Sequence, residues 1–325
     1  MDLHEEKLPA AKAKRLIDPT ENIPEGSYVR VHVNPKRYIQ ALNVNWEERI
    51  NYIDDDVVCV EKPCGIPCCA GVDNVIENLT RQVEIYLTSL FRPTHRSVPT
   101  PLQVTGRLDT CTSGLVVLAR NSNSSRYIHC LAARRLIKKR YLVLCHGSSL
   151  IPPGSVRHCF RKKRIGHRNS KPTLLREYSP EFLMENPAWK LAELKILKSS
   201  KFSGSCRLHD EDETVFEEGN LYEYEVELVT GRTHQIRLQF AAMGSPIVGD
   251  TRYAPVAGHL ESTLPDPTFG PDPSSIGLHC SAVDLPQSHD RVISSPPPAN
   301  GVDSNSTINL RSKLMPWWRA KTIKM

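Results

Sequence analysis

Four short stretches of the 325-residue chain bring together side chains able to carry charge, move protons or stack on a planar ring. The first is Gly106-Arg107-Leu108-Asp109-Thr110-Cys111-Thr112-Ser113-Gly114-Leu115, where a carboxylate follows a guanidinium by two residues and precedes a Thr/Ser/Gly turn leading into an apolar run. An Asp in a loop is usually a turn former or an N-cap. At a strand end beside a cation it stays ionised at neutral pH, and such an ion is a nucleophile or a base. The second is Leu228-Val229-Thr230-Gly231-Arg232-Thr233-His234-Gln235-Ile236-Arg237. In its bland reading both arginines are solvated and His234 is a capping residue. In the other, Arg232, in the turn before a helix, is aimed at an anion, either a phosphate or a catalytic carboxylate. The third is Lys139-Arg140-Tyr141, whose Tyr is either core or a ring that faces a cleft and stacks on a base. The fourth, Val60-Glu61-Lys62-Pro63-Cys64-Gly65-Ile66-Pro67, reads as a strand stopped by a rigid turn.

The elements that must position these residues follow from periodicity. Asp55 to Pro63 reads as a buried strand ended by Pro63 and Gly65. Asn74 to Phe91 carries apolar residues at helical spacing and ends before Pro93. Gly114–Arg120, Arg140–Cys145, Trp189–Leu197 and Leu221–Val229 read as further strands. Thr233 is placed to cap a helix from His234 to Met243, with Gly244 after its end. Strands dominate with a few helices between them, which points to an α+β architecture on a mixed, mostly antiparallel sheet. Residues 1 to about 22 read as a short helix or loose arm, and Ile23 to Val33, with its Pro/Gly turn and alternation, as one strand. Phe202 to Asn220, Pro255 to Ser275 and Pro286 to Asn309 read as polar or Pro-rich insertions.

Composition narrows the class. A hydrophobic fraction of 39% and a charged fraction of 24% are ordinary for a globular protein. No apolar run approaches the roughly 18 residues of a membrane span. The first thirty residues lack an apolar h-region, so no secretory signal is expected, and no transit peptide is visible. The ten cysteines contain no CxxC pair, which favours reduced thiols without a metal role. The net charge of +6 is modest, but from Thr110 to Arg176 there are fifteen Lys and Arg and no acid. One-signed charge on that scale repels itself unless a polyanion neutralises it, and a phosphate backbone fits.

Taken in order, the stretches resemble the RluA family of RNA pseudouridine synthases. The family pattern runs Lys-Pro-x-Gly, then His-Arg-Leu-Asp-x-x-Thr-Ser-Gly, Lys-x-Tyr, Gly-Arg-x-His-Gln-Ile-Arg and Gly-x-Pro-Ile-x-Gly-Asp, matched last by Gly244-Ser245-Pro246-Ile247-Val248-Gly249-Asp250. Leu278-His279-Cys280 resembles a later Leu-His-Ala element, and Gly106 stands where the pattern commonly has His. The resemblance implies a pseudouridine synthase fold, a central mixed, mostly antiparallel sheet flanked by helices. It also implies three segments: an N-terminal arm with a degenerate RNA-binding appendage over 1–50, a catalytic domain over 51–285, and a Pro/Ser-rich linker and tail over 286–325. It implies isomerisation of a uridine in rRNA or tRNA, with no cofactor, no metal and no membrane, by a monomer. By resemblance Asp109 is the catalytic carboxylate, Arg232 its ion-pair partner and Tyr141 the ring against the target base. Arg107 shapes the loop or enters the RNA, while Leu115, Ile236 and Thr112 contact substrate. Arg237 is then expected to point away, toward backbone or RNA. The resemblance leans to a plant organellar member, in chloroplast or mitochondrion, with cytoplasm or nucleus as the alternative. Two rivals stay open: a silent RNA-binding module, and a glycosidase-like hydrolase, which needs a second carboxylate.

Overall fold

Runs rich in β-branched residues become a sheet because each finds a neighbour to take its backbone hydrogen bonds. The computed structural model describes residues 20–27, 29, 31, 33–90, 101–161, 163–165, 169–171, 175–203, 206–207, 215–216, 220–260, 273–286, 307–316 and 319. The strands are β1 (Ile50–Ile53), β2 (Val57–Lys62), β3 (Gln103–Val104), β4 (Ser113–Ala119), β5 (Lys138–His146), β6 (Gly154–Phe160), β7 (Lys163–Ile165), β8 (Asn169–Lys171), β9 (Arg176–Glu177), β10 (Lys190–Lys201), β11 (Cys206–Arg207), β12 (Val215–Phe216), β13 (Leu221–Leu228), β14 (Leu278–Pro286) and β15 (Thr307–Arg311). The helices are α1 (Trp46–Arg49), α2 (Leu79–Leu90), α3 (Ser122–Ala133), α4 (Pro180–Glu185) and α5 (Gln235–Ala242).

One sheet runs in the order β1-β2-β4-β14-β5-β13-β10-β6-β9, with β3 on β4 and β15 on β14. Among the described residues β4 and β14 alone pair in parallel, and the other pairs are antiparallel. The expected mixed, mostly antiparallel α+β sheet is what forms. β2 is buried at every position and β4 at all but the first, so their apolar runs are continuous rather than alternating. At the parallel seam, Gly114 has φ +109°, and a Cβ there would lie 2.3 Å from the Cys280 carbonyl oxygen. Only glycine lets β4 and β14 approach so closely just past the Asp109 loop.

Several boundaries differ from expectation. The helix expected over Asn74–Phe91 begins at Leu79. Asn74 Oδ1 accepts from the backbone N–H groups of Ile76 and Glu77, and Asn78 Oδ1 accepts from Arg81 N–H. The two Asn side chains thus close a turn and then a cap, competing with helix over 74–78. Helix α3 was not expected, because its Ser-rich first turn has weak propensity. Asn121 starts it by accepting from Ser124 N–H at 2.8 Å, and Ile128 and Leu131 are buried under it.

The chain divides into two compact units, residues 1–35 and 36–325. In the first, Ser27 N–H donates to Pro24 O at 3.2 Å across Gly26. The strand expected over Ile23–Val33 is absent among its described residues, and Val29, Val31 and Val33 are exposed. Alternation was not enough there, since these residues find no ladder partner among the described residues. The expected arm lies mostly outside the described residues, as do the centres of the three expected insertions. The last of them ends earlier than expected: from Thr307 the chain forms β15, pairing Leu310 with Val283.

Candidate active site

The loop carrying Asp109 hangs between β3 and β4 and is held through its backbone. Lys62, fully buried at the end of β2, donates from Nζ to Pro63 O (3.0 Å), Ile66 O (2.8 Å) and Thr110 O (3.1 Å). Gly65 N–H donates to the same Thr110 oxygen at 2.8 Å. The Cys68 thiol donates to Leu108 O at 3.4 Å and accepts from Leu108 N–H at 3.3 Å. Burial pushes the Lys62 ammonium below its ordinary value, with Cys68, Cys64, Cys111 and Asp109 pulling it back. The turn after the Lys-Pro pair is therefore the platform under the Asp109 loop.

Asp109 projects from that platform into a cleft of about 1220 Å³. Its side chain is 31% exposed and lies 3.8 Å from Arg237 Nη1 and 3.7 Å from His234 Nε2. Arg237 is buried and grips Asp250 with Nε and Nη2, both at 2.7 Å. Burial works against its charge, but its hydrogen bonds to Asp250 and the nearby Cys111, Asp250 and Asp109 together raise its hold on the proton. The His234 ring shares a hydrogen bond between Nδ1 and the Tyr253 hydroxyl at 2.8 Å. Because Nε2 faces the acceptor-only carboxylate of Asp109, the tautomer that suits both neighbours carries its proton on Nε2 and accepts from Tyr253 at Nδ1. Burial lowers its proton affinity, Asp109 opposes that, and Arg237 and Arg252 reinforce it, so the imidazole is neutral near pH 7.

Here the expected pairing is corrected. Arg232 makes no ion pair with Asp109; its Nε donates to Leu191 O at 3.1 Å, and Arg237, expected to point away, takes the place instead. His234 opens α5 in the left-handed region at φ 55°, and the Gln235 side chain accepts from Arg232 N–H at 3.0 Å. That turn sends Arg232 toward β10, while His234 and Arg237, three apart, share one helix face. Nor does Thr233 cap the helix: the position is His234, without a side-chain cap bond. The signal for Arg237 was present in the His-x-x-Arg spacing. Asp250 and Tyr253, which orient the pair, lie beyond any periodicity and were not assigned to the site.

The remaining expected residues converge. Tyr141, Leu115, Ile236, Thr112 and Arg107 all line the same cleft. Tyr141, Leu115 and Ile236 are buried in its wall, whereas Arg107 is exposed at the rim. Burial, the Cys280 thiol and the Asp109 charge hold the Tyr141 hydroxyl well above its usual value, so it stays protonated. Thr112 Oγ1 is buried without a hydrogen-bond partner. Asp109 is the one carboxylate lining the cleft among the described residues.

A family model described as RNA pseudouridylate synthase matches residues 56–242, more than half the chain and all of this cleft's central loops. The chain belongs to the RNA pseudouridine synthase family, and to its RluA type. Among relatives, "RNA pseudouridine synthase 6, chloroplastic" of Arabidopsis thaliana is 31% identical over 253 residues, 76% of this chain and 49% of that protein. The Oryza sativa protein of the same name is 30% identical over 76% and 48%. The chain thus spans about half the length of these curated relatives. "Ribosomal large subunit pseudouridine synthase C" of Rickettsia felis is 28% identical over 208 residues, 62% of this chain and 54% of that one. The solved "Human RNA Pseudouridylate Synthase Domain Containing 4" covers 86% of this chain and 93% of its own at TM-score 0.50 and 19% identity, a likeness of fold.

Within this family member the acid-free stretch divides by use. Arg140 pairs with Asp284 at 2.8 Å and Arg157 with Glu193 at 2.9 Å. Arg161 stacks on Trp189, its guanidinium 4.8 Å from the ring centroid. Lys162 and Arg168 lie outside the described residues. Arg135 and Lys139, by contrast, line the cleft beside Arg107, Arg232 and Arg252. Arg135 sits just past the end of α3 at φ 59°, a position usually given to glycine, and its charge is felt by Arg232, whose proton affinity burial and Arg135 both lower.

Proposed function

We propose that this chain is an RNA pseudouridine synthase that isomerises a specific uridine in rRNA or tRNA, with Asp109 as its catalytic carboxylate. One observation carries the reading: a partly exposed carboxylate, 3.8 Å from a buried guanidinium, is the one acid lining the cleft among the described residues, beside the buried ring of Tyr141 and the apolar side chains of Leu115 and Ile236. The target uridine must leave its stack to reach it. The bond from C1′ to uracil N1 breaks, the base turns against Tyr141, and C1′ bonds to C5. The C5 proton leaves and N1 gains one, so the product has the substrate's atoms. Asp109 acts by attack on the sugar, attack on the base, or removal of the sugar's 2′-hydrogen. Arg237 holds a permanent positive charge beside it, and neutral His234 presents Nε2–H to its other side.

The cations at the rim suit the phosphate backbone. Arg135 and Arg232, like charges that repel, are most comfortable with an anion between them, which gives Arg232 the phosphate role in place of the carboxylate one. The arm over 1–50 would add RNA contacts to the catalytic domain over 51–285, ahead of the linker and tail over 286–325, in a monomer. The chloroplastic names of two relatives support an organellar site of action. A hydrolase is disfavoured by the cleft: glycoside hydrolysis needs a second carboxylate roughly 5–10 Å away, and Asp250, which shares Arg237 with Asp109, is buried and held by Arg237 on both oxygens.

The test is pseudouridine mapping of total RNA with and without the protein, beside the Asp109→Asn variant. A new site should appear with the protein and vanish with the variant, whose melting temperature should match the parent, since the Asp109 side chain makes no hydrogen bond among the described residues. Free uracil would indicate a hydrolase. Full turnover by Asp109→Asn would remove Asp109 from the chemistry.

A further inference from the structure

We propose that the Lys139 ammonium binds a phosphate flanking the nucleotide over Asp109, and that position 106 is glycine to admit it. The inference rests on the RNA reading above. Lys139 and Tyr141 are two apart on β5, so their side chains leave the same face, roughly 7 Å apart along the strand. Arg140 between them turns to the other face, where it pairs with Asp284. A Cβ built on Gly106 would stand 2.6 Å from Lys139 Nζ, with Lys139 Cε, at 3.9 Å, the next atom in range. The ammonium therefore occupies the volume that any side chain at 106 would need. Both residues line the cleft, three positions ahead of Asp109 and one pleat from the ring expected to hold the base.

What Lys139 does not contact points to its ligand. Half-buried, it makes no ion pair and no side-chain hydrogen bond among the described residues. The thiols that feel its charge do not neutralise it. Burial pushes Cys280 up to about 11 and Cys59 higher still, so both are uncharged at neutral pH. Asp109, the cleft's carboxylate, is already flanked by Arg237 and His234. A cation in the cleft wall with no counter-charge of its own is open to take an anion. A phosphate offers that counter-charge, and a lysine binds one as a point charge without demanding a fork geometry. The base's own carbonyls are the poorer match, because the ammonium stands a full pleat away from Tyr141. Gly106 is then a positioning residue, acting through Lys139.

The experiment uses the full chain and a fluorescein-labelled single-stranded oligouridine, read by polarisation from 50 to 500 mM salt. One phosphate contact on a single strand adds about 0.7 to the slope of log affinity against log salt, or about fivefold in affinity between 1 M and 0.1 M. Lys139→Gln should lower the slope by that amount and the affinity at 0.1 M about fivefold. Gly106→Ala should do nearly the same, because its methyl group displaces only the mobile end of Lys139. The double variant should be no weaker than Lys139→Gln alone. A parental slope for Lys139→Gln overturns the proposal, as do losses that sum in the double variant. Should Gly106→Ala melt early, Lys139→Gln decides alone. If the unaltered protein shows no salt-dependent RNA binding, the RNA reading itself fails, a result separate from either outcome above.

Discussion

The exchange of Arg232 for Arg237 beside Asp109 makes two arginines five residues apart behave oppositely. Arg237→Lys keeps a positive charge but loses the fork. A lysine ammonium has one position, and Asp250, buried and now without its two hydrogen bonds at 2.7 Å, would claim it. The charge would then recede from Asp109. At an effective dielectric of about 20, attraction across the 3.8 Å separation is ~4.4 kcal/mol, and across about 6 Å it is ~2.8 kcal/mol. The difference, about 1.6 kcal/mol, corresponds to roughly fifteenfold in rate if the charge on Asp109 is used in the transition state.

Arg232→Gln removes a hydrogen bond to the Leu191 carbonyl and one rim charge. Its turnover at saturating RNA should stay within about twofold, while RNA affinity and its salt dependence weaken. Single-turnover pseudouridine formation at saturating RNA separates the two, with thermal melts to confirm both variants are folded. Equal losses of turnover in Arg232→Gln and Arg237→Lys, or parental turnover by Arg237→Lys, would refute this division of roles.

Two stability predictions follow from buried groups away from the cleft. Burial lowers His158 to about 4; burial, with Arg319 and Arg49 nearby, does the same to His279. Both values lie below the unfolded value near 6.5, so the unfolded chain binds more protons between pH 6.5 and 4, and stability falls as pH drops through that window. From pH 7 to pH 5 the two together should cost about 4 kcal/mol; urea titrations at the two pH values giving equal midpoints would refute it. Glu61, buried on β2, accepts from Lys313 N–H at 2.6 Å and from the Ser312 hydroxyl at 2.7 Å. Ending the chain before Thr307 should leave that carboxylate underpaired and cost about 3 kcal/mol or more. A truncated protein melting within a degree of the parent would show that β15 merely rests on the sheet.

Much of this site was legible because its motifs are local. Asp109 sits in a loop that announces itself by Arg107, Thr112, Ser113 and Gly114, and Tyr141 lies in a strand whose apolar run is plain. The strands at β2, β4, β5, β10 and β13 lay where periodicity placed them, since each buries enough apolar surface to override local competition. What sequence alone missed was orientation. Whether Arg232 or Arg237 meets Asp109 depends on one left-handed residue, His234, and on Gln235 closing the turn behind it, neither of which alters the hydrophobic pattern. Likewise Ile23 to Val33 alternates like a strand, but alternation states only which face would be buried, not whether a partner exists. The helix over Asn74–Phe91 was overextended for a related reason: Asn74 and Asn78 satisfy backbone donors with their own side chains, a short-range effect that the apolar spacing around them conceals.

The same distinction explains how Asp109 is both fixed and available. Its loop is tied down by groups that never touch the carboxylate: Lys62 on the Thr110 carbonyl, Gly65 on the same oxygen, Cys68 on both backbone atoms of Leu108. The side chain itself has charged and polar neighbours at 3.7 and 3.8 Å, close enough to feel them and too far to be consumed by hydrogen bonds. A carboxylate clamped by direct bonds would have to break them before reacting, and one on an untethered loop would lose the orientation that proximity requires. Placing the restraint in the backbone and the charge at arm's length meets both demands. It also gives the buried Lys62, which does not line the cleft, its use in the interior: its Nζ supplies hydrogen bonds to the carbonyl oxygens of Pro63, Ile66 and Thr110, tying the turn after β2 to the Asp109 loop.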